Sequence, residues 1–210
     1  MTVTIIRIMI ALGIVGHAIN MYCDRILSVF PNGTIKFNNF KEIGKDGVLA
    51  DIMRGVSPDV PMRSAVLGAF SLVLQFLSYC GLSIYTYEQS PILGAIMFVM
   101  CAFFCIVASG HHVKCGVAEY VFLKSGCDNR AKELTLDLLS SGTILRVCFF
   151  GLIIYLIALV VAIVTGVIGF PIWALLFTIV PVFIIMFPFR IIGTLHIAAM
   201  VSMLAWIFLV

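Results

Sequence analysis

Six apolar stretches alternate with polar connections along the chain, and each is close to the length of a membrane-crossing helix. A hydrocarbon core about 30 Å thick requires roughly 20 apolar helical residues. The pattern therefore predicts an all-α polytopic membrane helix bundle with six transmembrane helices, forming one integral membrane domain over residues 1–210. The predicted spans are residues 3–23, 64–86, 91–110, 143–168, 171–188 and 191–210, with Pro91, Pro171 and Pro188 at their boundaries.

Two long connections lie outside the predicted spans, at residues 24–63 and 111–141. The first contains Pro31-Asn32-Gly33, which is typical of a turn. In the second, apolar residues up to Leu123 continue the third helix beyond the bilayer. Residues 130–139 then interleave leucines with charged residues, which predicts a short interfacial amphipathic helix between helices three and four.

Composition supports a membrane protein. Hydrophobic residues make up 62% of the chain, charged residues only 11%, and the mean hydropathy is +1.18, whereas soluble domains carry about 25% charged residues. The net charge of +3 is not gathered into a basic patch with interleaved aromatics, so we expect no nucleic-acid partner. Seven cysteines, an odd number and mostly within apolar runs, do not indicate a disulfide framework.

The cations predict an orientation. Eleven lysines and arginines fall in the first, third and fifth connections or at their edges, and the opposite side has only Arg7. By the positive-inside rule, we expect a multi-pass protein of the cell membrane with cytoplasmic long loops and extracytoplasmic termini. The eleven are Arg25, Lys36, Lys41, Lys45, Arg54, Arg63, Lys114, Lys124, Arg130, Lys132 and Arg190.

With an even number of spans, the first, third and fifth connections lie on one side of the membrane. The same topology brings all four histidines, on three predicted helices, to that membrane face at similar depth. Ionisable groups in hydrocarbon are costly, so they tend to face a partner or a wet cavity. We therefore predict a polar pocket at the cytoplasmic leaflet that binds or moves a small amphipathic or anionic ligand. Its predicted ligand-binding residues are His17, Asp24, His112, Arg146, Arg190 and His196.

Zinc is the cofactor that these residues could hold, with His17, Asp24, His112 and His196 as ligands. The chain would then be a metal-dependent lipid amide or ester hydrolase, in which the metal activates a water molecule. A second stripe, His111, Cys115 and Glu119, recurs every four residues of a continuing helix. It suits a zinc site or, more simply, the polar surface of a helix that leaves the membrane.

Three segments resemble an uncharacterised family of six-helix bacterial membrane proteins known as a domain of unknown function: residues 7–31, 53–87 and 106–118. Cys23 stands here where the family pattern has a glycine before the aspartate, and His111 where it has an aromatic residue before the histidine. The resemblance implies the fold and a membrane location. The histidines and Asp24 also bear a distant similarity to the alkaline ceramidase and adiponectin-receptor hydrolases, which hold zinc among seven helices.

Three hypotheses follow from the sequence: a ligand-binding or transporting pocket, a zinc-dependent lipid hydrolase, and a membrane scaffold or partner subunit without a site. Whether the chain is an enzyme is left open by the residues, as are its substrate and its oligomeric state. The bilayer itself is the one partner that the composition requires.

Overall fold

A computed structural model describes residues 1–35 and 40–210 of the chain. Helix α1 spans Val3–Ser28, α4 spans Asp59–Gln89, α5 spans Pro91–Lys124 and α7 spans Thr143–Val164. Between α1 and α4 lie strands β1 (Val29–Phe30) and β2 (Gly33–Thr34) and the short helices α2 (Phe40–Ile43) and α3 (Val48–Met53). Helix α6, Asn129–Ser140, precedes α7.

Four helical stretches of the described residues are long and apolar enough to cross a membrane: Val3–Ser28, Asp59–Gln89, Pro91–Lys124 and Asn129–Val164. The last comprises α6 and α7, which are separate helices. The all-α bundle is therefore confirmed together with four membrane-length helices, whereas the six-span count is not.

The region predicted as a fifth span, residues 171–188, is a broken segment. It contains a 3₁₀ helix, Ile172–Phe177, then α8, Ile179–Met186, and a second 3₁₀ helix, Phe187–Phe189. Pro181 explains the break, since proline has no N–H for the carbonyl four residues earlier, which belongs to Phe177, and its ring clashes there. In the first turn of α8 the same proline is tolerated.

The last helix, α9, spans Thr194–Leu209 and is shorter than the predicted span 191–210. Arg190 and Gly193 both have positive φ, at 51° and 82°, so the chain turns sharply before α9 begins. A Cβ at Gly193 would lie 2.6 Å from Cγ of Met21. The glycine thus allows the start of α9 to pack closely against α1.

Helix α4 packs between α1 and α5, α7 packs on α5, and α9 packs on α1 and α8. The main apolar core lies among these helices and includes the buried side chains of Tyr79, Tyr155 and Trp206. Burial of such aromatic side chains makes a large contribution to helix packing.

The connections form a second apolar cluster, in which Phe30, Leu49 and Met53 pack against Phe122 of α5. Strands β1 and β2 pair as an antiparallel hairpin with Pro31 and Asn32 at its turn, as the sequence predicts. The predicted continuation of helix three and the helix at 130–139 are also present, as the last part of α5 and as α6. Lys36, one of the counted cations, lies outside the described residues.

Candidate functional site

Two histidines from opposite ends of the chain meet between α1 and α9. Nδ1 of His17 lies 2.9 Å from Nδ1 of His196, within hydrogen-bonding distance. The antiparallel approach of the two helices produces this pairing, since Gly193 contacts Met21 on one side of it and Met203 lies at Gly13 on the other.

Asp24 links this pair to a third histidine. One carboxylate oxygen lies 3.1 Å from Nε2 of His196, and the other lies 3.6 Å from Nδ1 of His112. The first distance is a hydrogen bond, and the second is a looser ion-pair contact. Asp24 and His17 are seven residues apart on α1, so both side chains lie on the same helix face.

Two side chains of α4 complete the arrangement. The Tyr79 hydroxyl lies 3.1 Å from Nε2 of His17, and Oγ of Ser64 lies 3.2 Å from Nε2 of His112. Ser64 also donates a hydrogen bond to the Cys23 carbonyl, at 3.1 Å. We call these six side chains the polar network: Tyr79, His17, His196, Asp24, His112 and Ser64.

Sequence reasoning missed Tyr79 and Ser64, although α4 carries a signal for them. Polar side chains recur along one face of this helix at Ser64, Ser71, Gln75 and Ser78, and all four are fully buried. Such a stripe inside an apolar helix indicates the face that meets other polar helices. In the described chain, α4 is also the helix with the most extensive packing against α1.

One assignment of the protons that satisfies these contacts runs from Tyr79 to Asp24. The Tyr79 hydroxyl donates to Nε2 of His17, Nδ1–H of His17 donates to Nδ1 of His196, and Nε2–H of His196 donates to Asp24. In this assignment each of the two imidazoles donates through one ring nitrogen and accepts through the other. Both ring nitrogens of His17 and of His196 are engaged. Moving a proton on one imidazole therefore changes whether its neighbour must donate or accept.

The network reaches the exterior of the bundle at Asp24. His17 and His112 are 2% and 7% exposed, whereas the side chain of Asp24 is 35% exposed. Asp24 is therefore the exposed end of the network, and the imidazole of His17 lies in its buried part.

Gly68 makes room for His112. A Cβ at this position of α4 would lie 2.0 Å from Cδ2 of His112, which is closer than real atoms approach. The imidazole thus packs directly on the α4 backbone, where it also contacts the Ser64 carbonyl at 3.2 Å.

The paired histidines at 111–112 have different surroundings. His112 belongs to the network, whereas Nε2 of His111 lies 3.8 Å from the Cys115 sulfur and its Nδ1 has no hydrogen-bond partner within the described chain. Within the predicted stripe of His111, Cys115 and Glu119, the structure shows a contact between the first two, and the Glu119 oxygens have no hydrogen-bond partner in the described chain.

Arg146 and Arg190, also predicted to line the site, are both exposed. Neither forms a hydrogen bond or ion pair with the network in the part of the chain that the structure describes. Arg146 lies in the first turn of α7, and Arg190 lies just before α9. Their role as ligand-binding residues stays a prediction.

The predicted zinc ligands lie together, but their donor atoms point to different places. In His196, Nδ1 faces His17 while Nε2, across the ring, faces Asp24. Among residues 1–35 and 40–210, no group of three or more His, Cys, Asp or Glu side chains is arranged to hold one metal ion. We derive no chemical step through zinc, and the zinc hypothesis stays an untested prediction.

An apolar cleft lies between α7, α8 and α9. Its volume is about 270 Å³, and its walls include Phe149, Leu156, Phe183 and Leu195. Leu195 directly precedes His196, so adjacent residues of α9 belong to the cleft and to the network. Arg146 lies one turn before Phe149, and Arg190 lies five residues before Leu195.

Comparison with known proteins identifies a family. A model of the family of unknown function DUF6796 matches residues 1–209. The chain belongs to this family. No curated protein and no solved structure matches it. The resemblance drawn from residues 7–31, 53–87 and 106–118 is thus confirmed at the level of an uncharacterised family, and the likeness to the ceramidase and adiponectin-receptor hydrolases stays an expectation.

Proposed function

We propose that this chain is a six-span membrane protein that binds or moves a small anionic amphipath at its cytoplasmic leaflet. The acyl chain would occupy the apolar cleft, and the anionic head would lie near Arg146, Arg190 and the exposed edge of Asp24. The observation that carries the proposal is that α9 has Leu195 in the wall of the cleft and His196 in the polar network.

The broken segment supports six crossings. Laid end to end, its six-residue 3₁₀ helix, eight-residue α-helix and three-residue 3₁₀ helix would rise about 30 Å at the usual rise per residue of each type. That is the thickness of the hydrocarbon core. Broken helices at membrane depth are tolerated where neighbouring helices cover them, and α7 and α9 both contact this segment.

The charges favour an anionic head group. Two arginines without a protein partner in the described chain lie close in sequence to one end of an otherwise apolar cleft. A guanidinium binds carboxylate or phosphate through two parallel hydrogen bonds. Asp24 then requires explanation, because its negative charge would repel an anion unless it is protonated or paired with His112 or His196.

The positive-inside rule supports the cytoplasmic placement. Asp24 near the end of α1, Arg190 just before α9 and the cation-rich connections belong to one end of the bundle, while Arg7 and the N-terminal amine lie at the other. The amine pairs with Glu88 at 2.6 Å, near the end of α4, which places Met1 far from Asp24 along α1.

Binding of oleate, a single-chain amphipathic carboxylate, tests the proposal in purified protein. We expect saturable binding that weakens about 10- to 100-fold in Arg146→Gln or Arg190→Gln, since a hydrogen bond to a charged group contributes about 1.5–3 kcal/mol. Arg7→Gln, at the opposite end, serves as the matched control and retains wild-type affinity. Equal affinity in all four proteins, or no saturable binding, would contradict the proposal.

One observation favours a second function, hydrolysis of a lipid ester or amide. The atom order Ser64 Oγ, His112 Nε2, His112 Nδ1 and Asp24 Oδ1 matches that of a serine nucleophile with its base and orienting carboxylate. Ser64 would add to the acyl carbonyl and pass its proton to His112, which returns it to the leaving group. Water would then release the acyl chain and restore Ser64.

The same geometry ranks this function second. Ser64 is fully buried and its hydroxyl is also engaged by the Cys23 carbonyl. A fluorophosphonate probe decides the matter, because it labels activated serines covalently. Labelling that disappears in Ser64→Ala would establish the nucleophile, and an unlabelled wild-type protein would eliminate it.

A further inference from the structure

Two buried amide side chains, one on α1 and one on α4, carry oxygens that the polar network does not use. Asn20 is 5% exposed and Gln75 is 0% exposed. Neither Oδ1 of Asn20 nor Oε1 of Gln75 has a hydrogen-bond partner among the described residues. A buried polar atom without a partner is costly, so folded proteins complete such atoms with an ordered water molecule or an ion.

Helices α1 and α4 run antiparallel where these amides lie. A Cβ at Gly13 would lie 2.2 Å from Cβ of Ser78, whereas the Cys23 carbonyl, further along α1, accepts a hydrogen bond from Ser64, near the start of α4. Asn20 comes seven residues after Gly13 and three before Cys23, so it lies on the same helix face. Its side chain therefore faces α4.

Both amides are directed to the level of Gly16, one turn before Asn20. Nε2 of Gln75 donates to the Gly16 carbonyl at 3.5 Å, and a Cβ at Gly16 would lie 2.6 Å from the Ser71 carbonyl. Helical side chains lean toward the N-terminus of their own helix. Asn20 thus leans back toward Gly16, and Gln75 leans toward Ser71. In antiparallel helices these two directions converge, which brings the amide oxygens toward each other.

The partner that these oxygens lack must donate protons or carry positive charge, because both oxygens are acceptors. Oγ of Ser71 already donates to the Gly68 carbonyl at 2.6 Å, and it keeps lone pairs as a third oxygen ligand. Amide and hydroxyl oxygens suit hard cations. Gly16 is near the middle of α1, and membrane transporters bind their coupling ions near the bilayer midplane.

The charged residues of the two helices favour a cation over an anion. Asp24 is one turn after Asn20 on α1, and its carboxyl group is the acidic group that α1 carries. The arginines of α1 and α4, which are Arg7, Arg25 and Arg63, are all exposed. None of them forms a hydrogen bond or ion pair with either amide in the described part of the chain.

We propose that Oδ1 of Asn20, Oε1 of Gln75 and Oγ of Ser71 bind a monovalent alkali-metal cation between α1 and α4. The use of this cation rests on the proposed function: a positive charge one turn from Asp24 offsets the repulsion of an anionic head group, so the cation and the amphipath bind together. The site itself does not depend on the amphipath.

Thermal unfolding in chloride salts of sodium, potassium and choline, at equal ionic strength and without an amphipath, tests the site. Choline has the same charge but is too large to fit between packed helices. We expect sodium or potassium to raise the unfolding midpoint of the wild-type protein above its value in choline, by about 3–6 °C when the ion concentration is roughly ten times the dissociation constant. Equal midpoints in the three salts would overturn the proposal and leave water as the partner of the two amides.

Two substitutions locate the effect. Asn20→Leu and Gln75→Met keep the approximate shape of each side chain and remove its oxygen, so we expect both to abolish the difference between salts. Thr86→Val is the matched control: Thr86 is also fully buried in α4, where its hydroxyl donates to the Leu82 carbonyl, and this variant should keep the wild-type salt dependence. Either variant alone suffices if the other does not fold. Unchanged salt dependence in a folded Asn20→Leu or Gln75→Met protein would place the cation elsewhere and refute the site.

Oleate binding separates the cation site from the proposed function. If the salts differ as expected and oleate does not bind, the cation site stands and the proposed function fails. If oleate binds and the three salts give one midpoint, the cation site fails and the proposed function stands. Where both hold, coupling requires that oleate binds more tightly in the stabilising salt than in choline chloride, and equal affinities would remove the coupling.

Discussion

Nδ1 of His17 and Nδ1 of His196 lie 2.9 Å apart, so the two imidazoles share one proton across the contact of α1 with α9. Both nitrogens cannot donate at once, and both cannot accept. The pair therefore joins the first and last helices through a contact that depends on its protonation.

The first prediction concerns the energy of this contact. His196→Ala leaves Nδ1 of His17 and one oxygen of Asp24 without their present partners, which costs about 1–3 kcal/mol for a buried group. We expect a lower unfolding midpoint in detergent for His196→Ala and for His17→Ala. In a double-mutant cycle the two changes should be non-additive by about 0.5–2 kcal/mol, and strict additivity would show that the contact contributes nothing.

Gly68 supplies the second prediction. Gly68→Ala places a methyl group against His112, so we expect a loss of about 1–3 kcal/mol from overpacking. Gly110→Ala is the matched control in α5, since a Cβ there meets nothing within 4 Å and alanine favours the helix. Thermal unfolding of both variants measures the difference. A Gly68→Ala protein as stable as Gly110→Ala would mean that His112 does not pack on α4.

The sequence predicted that the histidines meet, on the expectation that six spans bring them to one membrane face, and the structure joins His17 with His196 and, through Asp24, with His112. The helix faces could not be predicted in the same way. His111 and His112 are neighbours, and only the rotation of α5 against α4, permitted by Gly68 and Gly116, decides which one turns inward. Tyr79 was not predicted, because a tyrosine within an apolar helix is most often a packing residue.

Topology gives a third prediction. If residues 172–189 cross the membrane as a broken segment, the C-terminus lies on the same side as Met1 and Gln89. With Cys127 replaced by serine, an impermeant thiol reagent added to intact cells should label Gln89→Cys and a cysteine appended after Val210, but not Lys45→Cys. Labelling of Gln89→Cys without the appended cysteine would indicate five crossings.

The break within the predicted fifth span was not predicted from the sequence. Its hydropathy is that of a span, and hydropathy does not report hydrogen bonding. Pro181 has no N–H to donate to the Phe177 carbonyl, so the preceding helical turn ends there. The predicted span boundaries rested on Pro91, Pro171 and Pro188 and took no account of Pro181. The connections were predicted more fully, because the turn at Pro31 and Asn32 and the pattern of α6 are local features.

A fourth prediction concerns pH and the connections. Nζ of Lys132 lies 2.6 Å from Asp46, and the hydrogen bond and charge of Lys132 lower the pKa of the Asp46 carboxyl below its usual range. A carboxyl with a lowered native pKa stabilises the fold above its unfolded pKa of about 3.9, and this contribution is lost as the pH falls through the native pKa.

Unfolding midpoints of wild type and Asp46→Asn measure this effect. We expect a small advantage of wild type near pH 6 that disappears in strongly acidic solution. Because Asp46 is 93% exposed, high salt should also reduce it. An advantage that grows with acidification would contradict the sign of the pKa shift.

The shared proton of His17 and His196 can be observed directly by nitrogen-15 NMR. The chain has four histidines, so histidine-labelled protein in lipid gives few resonances to assign. We predict a scalar coupling between two Nδ1 nuclei, transmitted through the N–H···N hydrogen bond and absent in His196→Gln. Two Nδ1 resonances without that coupling, in a folded protein that binds lipid normally, would contradict the network from which the proposed site is built.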